Sequence, residues 1–200
     1  SISTFIQTNA QMHTNDEVFN FDQCAKCFLV FLNPRVSHNE LKKYYSKYYL
    51  PYRGPKAWGK YQKLVASSQK RLDAKRVRRV KGVQQLFNTS LILDIGCGNP
   101  SFLKSCQEYF KCKAMGIDFS ETGWKNKSKE IEGLDLQVAQ IKDLKNELNP
   151  DVITMWHYLE HDYNPLENLT YLKTVSKSST VLVIEIPNFE SKSRMKYGRN

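Results

Sequence analysis

At 200 residues the chain has the length of one domain, or one domain with an appendage. No run of 18 apolar residues occurs, which argues against a membrane-spanning helix, and no basic-then-apolar signal pattern opens the chain. The net charge of +10 calls for either an anionic partner or a large solvated basic face.

Residues 1–18 are polar and mixed, and read as peripheral or poorly ordered. Phe19 to Phe31 reads as a strand, a knuckle and a strand. Cys24 and Cys27 have zinc-ligand spacing, but they make only half a tetrahedral site. No other cysteine precedes Cys97, and His13 is a poor substitute, so no bound metal is expected. Five cysteines, an odd number, point to reduced thiols and a cytoplasmic setting. Ser37 and Glu40 fit a capping box for a helix over 41–48 carrying Tyr44, Tyr45 and Tyr48, with Tyr49 just beyond. Pro51, Gly54, Pro55 and Gly59 then break the chain. The sequence therefore divides into an N-terminal appendage, 1–59, and a main domain, 60–200.

A helix is expected from about Tyr61 to Asn88, interrupted near Gly82. It contains the basic run Lys70, Arg71, Lys75, Arg76, Arg78, Arg79 and Lys81, opposed only by Asp73. Leu64, Leu72, Val77 and Val80 supply a buried stripe, which leaves the cations as a solvated face. The alternative is a nucleic-acid surface, weakened by the lack of interleaved aromatic residues.

Strands and helices then alternate: strand 91–95, helix 101–110, strand 112–117, helix 120–131, strand 134–138. Strand 151–155, helix 165–177 and strand 180–186 complete the series. This order predicts an α/β fold, a doubly wound Rossmann-like parallel sheet with helices on both faces. A strand-order reversal would open a cleft at the carboxyl ends of the first and fourth strands.

The decisive stretch is Leu91-Ile92-Leu93-Asp94-Ile95-Gly96-Cys97-Gly98-Asn99-Pro100, a buried strand running into a tight turn. Gly96 and Gly98 allow a sharp bend and close approach of a ligand. The second strand ends at Asp118, 20 residues after Gly98, the spacing at which an acid meets ribose hydroxyls. After the third strand comes Ala139-Gln140-Ile141. After the fourth comes Met155-Trp156-His157-Tyr158-Leu159-Glu160-His161.

With these motifs the chain resembles the class I S-adenosylmethionine-dependent methyltransferases. A nicotinamide-binding fingerprint fits less well, because it wants a third glycine at Ser101 and has no use for Asp94. The family usually has glycine where this chain has Pro100, which predicts a reshaped loop at the first helical turn. The stretch from Trp156 to His161 is similar to that of relatives of the quinone-biosynthesis O-methyltransferases. Cys24, Cys27, Phe28 to Leu32 and Asn33-Pro34-Arg35 resemble the end of an N-terminal zinc ribbon whose first half is absent.

The resemblance implies S-adenosylmethionine as cofactor. It implies that Asp94 meets the methionine amino group and that Gly96, Cys97, Gly98 and Asn99 form the adjoining loop. Asp118 then takes the ribose hydroxyls, Phe119 lies against adenine, and Gln140 and Ile141 contact the adenine edge. Trp156 and His157 line the methionine end. His161 is a candidate general base, or holds its loop by hydrogen bonds. The acceptor implied is a small molecule, O-methylated and quinone-like, sugar or lipid-linked. A nucleic-acid methyltransferase or binder using helix 70–81, and a catalytically degenerate cofactor-binding domain, are the alternatives. Val181 to Ile186 would be the fifth strand, and the twelve residues after Asn188 are too few for a further strand pair. The fifth strand is thus expected to be an unpaired edge, or to pair with another copy in a homo-oligomer. Cofactor binding would then survive with weak turnover.

Overall fold

The computed structural model describes residues 1–9, 17–37, 40, 44, 54–125, 127 and 129–197. His13, the interior of the Ser37–Glu40 capping box, the helix carrying Tyr45 and Tyr48, Tyr49 and Pro51 lie outside the described residues. The chain falls into two compact units, Ser1–Tyr49 with Asn188–Asn200, and Leu50–Pro187. The division expected at residue 59 is not where the chain separates. The 3-10 turn Pro55–Tyr61 runs directly into the long helix of the second unit.

In the first unit, β1 (Ile2–Asn9), β2 (Val18–Cys24) and β3 (Val30–Leu32) form an antiparallel sheet in that order. The opening segment is therefore a strand rather than loose chain. Ile2, Thr4, Phe5, Ile6 and Thr8 carry enough β-branched and aromatic character to pair. Asp22, buried on β2, accepts 2.6 Å from the Asn33 side chain. Phe5 meets Phe189 edge-on at 5.6 Å, and the Arg194 guanidinium lies 4.3 Å from the Phe189 ring. Arg194 belongs to a short terminal helix, Lys192–Tyr197. The amides of Lys26 and Cys27 hold the Cys24 thiol below the ordinary thiol range. Among the described residues no three His, Cys, Asp or Glu side chains are placed to share a metal ion.

The second unit begins its regular structure with α1 (Gln62–Val83). It continues through β4 (Leu91–Ile95), α2 (Ser101–Phe110), β5 (Lys113–Asp118) and β6 (Asp135–Val138). β7 (Val152–Trp156), α3 (Pro165–Val175) and β8 (Val181–Glu185) complete it. The five strands are parallel, in the order β6-β5-β4-β7-β8. The order reverses at β4, and folds with such a reversal place their ligand crevice at the carboxyl ends of the strands beside it, here β4 and β7. Alternate residues of β4 feed two cores. Ile92 packs with Val77, Val80, Phe102 and Leu103 of α1 and α2. Leu93 and Ile95 pack with Leu172 and Val175 of α3.

Three expectations are corrected. The inward stripe of α1 is Asp73, Arg76, Val77 and Val80, whereas Leu64 and Leu72 are 70% and 37% exposed. α1 stops at Val83 because Gln84 is already extended, with φ −147°. Residues 120–131 do not form the expected helix. The chain makes a 3-10 turn over Glu121–Gly123, and Trp124 drops into the core. Lys127 N–H bonds back to Trp124 and Ile131 N–H to Lys127, as separate turns; residues 126 and 128 are outside the described set. Among the described residues β8 pairs only with β7, leaving Leu182 and Ile184 about 40% exposed.

Candidate functional site

The glycine turn leaves β4 with Gly96 at φ 71° and Gly98 at φ 47°, both in the left-handed region. The amides of Gly96 and Cys97 donate to the Ile117 carbonyl at 2.8 and 3.1 Å, tying the turn to β5. A Cβ on Gly96 would stand 2.5 Å from the Tyr158 ring, so the turn is closed from above by the β7 loop. A Cβ on Gly123 would stand 2.0 Å from the Gly98 carbonyl oxygen. That close approach explains why the segment after β5 turns over the glycine loop instead of continuing as a helix. Pro100 takes the position preceding α2, where no helical hydrogen bond needs its missing N–H.

Asp118, the last residue of β5, is buried beside this turn. One oxygen accepts from Gly98 N–H at 3.0 Å and the other from Ser120 N–H at 3.1 Å. Phe119 follows with 44% of its surface exposed, a flat apolar face at the crevice rim.

Asp94 is 4% exposed and accepts 2.6 Å from the Thr154 hydroxyl of β7. Burial pushes its carboxyl up to about 7; the Thr154 bond and the Arg76 charge oppose that shift, and Asp118 and Asp73 reinforce it. Arg76 reaches the same region from α1. It is buried, lies 4.7 Å from the Trp156 ring, and donates to Glu185 at 3.2 Å. Arg79 pairs with the same Glu185. Arg76 Nε and Trp156 Nε1 are buried donors without a partner. Buried donors are normally satisfied. Gln69 and Asp73, two turns and one turn earlier, share a hydrogen bond of 2.9 Å, and Gln69 also lies 3.4 Å from Ser101 at the start of α2.

His157 stands at φ 57°, a strained conformation for a residue with a Cβ. Its Nδ1 is 3.4 Å from Glu160 and its Nε2 3.4 Å from Glu185. His161 Nε2 is 3.8 Å from Glu160, and burial lowers the pKa of its imidazole.

Asp94, Gly96, Gly98, Asp118, Trp156 and His157 thus all fall at the carboxyl ends of β4, β5 and β7. Three other expectations change. The Cys97 side chain points into the core, its sulfur 2.8 Å from a Cβ built on Gly116, so only its backbone can serve the loop. Ile141 is 1% exposed, because the 3-10 turn Ile141–Asp143 folds it into the core under α3. The Trp156 ring is buried edge-on against Phe102 at 5.2 Å, and its indole N–H is buried with it. Gln140 is exposed beyond β6, and Asn99 is half-buried on the turn.

The sequence reading missed Arg76 and Tyr158. A signal for Arg76 existed, since Asp73 is the one acid in the basic run and sits one turn before it. Tyr158 carried none, because its contact with Gly96 depends on the turn after β7.

The methyltransferase domain family matches residues 65–200, and the chain belongs to it. An S-adenosylmethionine-dependent methyltransferase from Archaeoglobus fulgidus is 26% identical, over 64% of this chain and 57% of that one, with a TM-score of 0.50. One from Aquifex aeolicus is 22% identical, over 57% of this chain and 65% of that one, also with a TM-score of 0.50. This chain thus spans less than two thirds of the length of either. The fold is that of the S-adenosylmethionine-dependent methyltransferases. No curated protein matches the chain.

Proposed function

We propose that the crevice binds S-adenosylmethionine and that the protein transfers its methyl group to a small-molecule acceptor. The carrying observation is the pairing of the glycine turn with Asp118, whose two oxygens are fixed by Gly98 and Ser120. The residues fit the cofactor's charge pattern. Asp94 would take the ammonium, and Arg76 Nε with Trp156 Nε1 the carboxylate. Asp118 would take the ribose hydroxyls, with Phe119 and Gln140 at the adenine. Gly96 to Asn99 would lie along the chain between these groups. When bound, S-adenosylmethionine supplies a sulfonium that makes its methyl group electrophilic. The chain's own task is to align the acceptor and exclude water. An acceptor hydroxyl of weak acidity needs a base, and burial favours the neutral imidazole of His161 that such a role requires. Oxygen of a quinone-like, sugar or lipid-linked molecule is the acceptor this reading favours. Pro100 leaves the turn's amide bonds intact, which supports a competent site over a degenerate one.

Titration calorimetry with S-adenosylhomocysteine tests the reading. Asp118→Ala should weaken binding by about 1.5–3 kcal/mol, the loss of charge-assisted hydrogen bonds. Tighter binding of NADH than of either adenosyl ligand would overturn it.

A further inference from the structure

Lys127 lies on the segment that turns over the glycine loop, and no function is yet attached to it. Its Nζ is buried and has no hydrogen-bond partner. Glu130 and Lys56 both act on it through space, and no carboxylate stands within salt-bridge distance among the described residues. Burial lowers the pKa of this ammonium below the ordinary lysine value; the Glu130 charge opposes that shift and Lys56 adds to it. Gly54, at φ 64°, faces the same spot. A Cβ there would stand 3.9 Å from Lys127 Nζ and 3.4 Å from Asn99 Nδ2. The atoms nearest to the place of the missing side chain are thus an ammonium and an amide NH2. Both groups only donate.

A buried ammonium without a hydrogen-bond partner is unfavourable unless an anion completes it. We infer that Lys127, Lys56 and Asn99 form a subsite for a compact oxyanion, the carboxylate or phosphate group of the methyl acceptor. Asn99 belongs to the turn that borders the cofactor crevice, so an acceptor anchored here would sit beside the methyl donor. This assignment rests on the proposed methyl-transfer reading for its meaning, but its test does not depend on it. Lys127 supplies charge, Asn99 supplies direction, and Gly54 supplies room.

Thermal unfolding of the full chain with inorganic phosphate or with acetate reads the subsite directly. At about a hundred times its dissociation constant, the fitting anion should raise Tm by roughly 5–10 °C. Lys127→Met should abolish that rise while the anion-free protein unfolds no earlier than wild type, since an uncompensated charge has been removed. Lys56→Met should reduce the rise in part. The anion that acts identifies the acceptor's group as phosphate or carboxylate. Equal shifts in wild type and Lys127→Met, or no shift with either anion, would overturn the inference. S-adenosylhomocysteine binding, measured on the same proteins, should be unchanged by Lys127→Met. Its absence in wild type would sink the cofactor reading and leave the anion result standing.

Discussion

Asp94 shows how one residue's burial reaches into both stability and ligand capture. Its carboxyl titrates at about 7 in the folded chain, against 3.8 for an ordinary carboxyl. Between those values the folded state holds a proton that the unfolded state has lost. Stability contributed by this group therefore falls as pH rises through that window. Capture of an ammonium needs the ionised form, so affinity should move the opposite way. Calorimetry from roughly pH 6 to pH 8 should find S-adenosylhomocysteine binding tightening, with Asp94→Asn flattening the curve. An unchanged slope in Asp94→Asn would assign the effect elsewhere. The placement of Asp94, Gly96, Gly98 and Asp118 at strand ends and in the turn was legible in the sequence because it is local. A strand end, a turn needing positive φ and a fixed spacing need no tertiary information. Which way the Cys97 and Ile141 side chains point was not legible, since beside a turn that depends on what packs there.

At the scale of the element, α1 departs furthest from its sequence reading. Seven cations in twelve residues, Lys70 to Lys81, looked like a solvated face. The helix instead turns Asp73 and Arg76 inward with Val77 and Val80, and Glu185 of β8 takes up both Arg76 and Arg79. Periodicity could not reveal this, because long basic side chains are assigned to solvent unless a partner is known, and the partner lies 109 residues away. If Arg76 holds the cofactor carboxylate, Arg76→Met should weaken S-adenosylhomocysteine about tenfold or more, as a charged hydrogen bond is lost. It should leave 5′-methylthioadenosine, which lacks the amino-acid group, bound as in wild type. Equal weakening of both ligands would mean that Arg76 only supports the fold. The segment after β5 teaches a related lesson, since its helical pattern yields to the contact between Gly123 and Gly98.

For the molecule as a whole, strand count and sheet order were readable from the alternation of elements. The pairing of residues 2–9 and the grouping of 188–200 with the first unit were not, because both rest on contacts distant in sequence. Among the described residues the edge strand β8 pairs on one side only and exposes Leu182 and Ile184. Open edges recruit other strands. Sedimentation velocity should therefore show self-association that grows with concentration and is relieved by Ile184→Lys. A monomer at all concentrations would refute it.

The two amides on Asp118 carry a consequence for speed. One lone pair of each oxygen is already committed to the chain's own backbone before any ligand arrives. The carboxylate is therefore aimed in advance, and capture sacrifices little rotamer freedom. If the ribose hydroxyls bind here, association at this end is then limited by encounter and orientation.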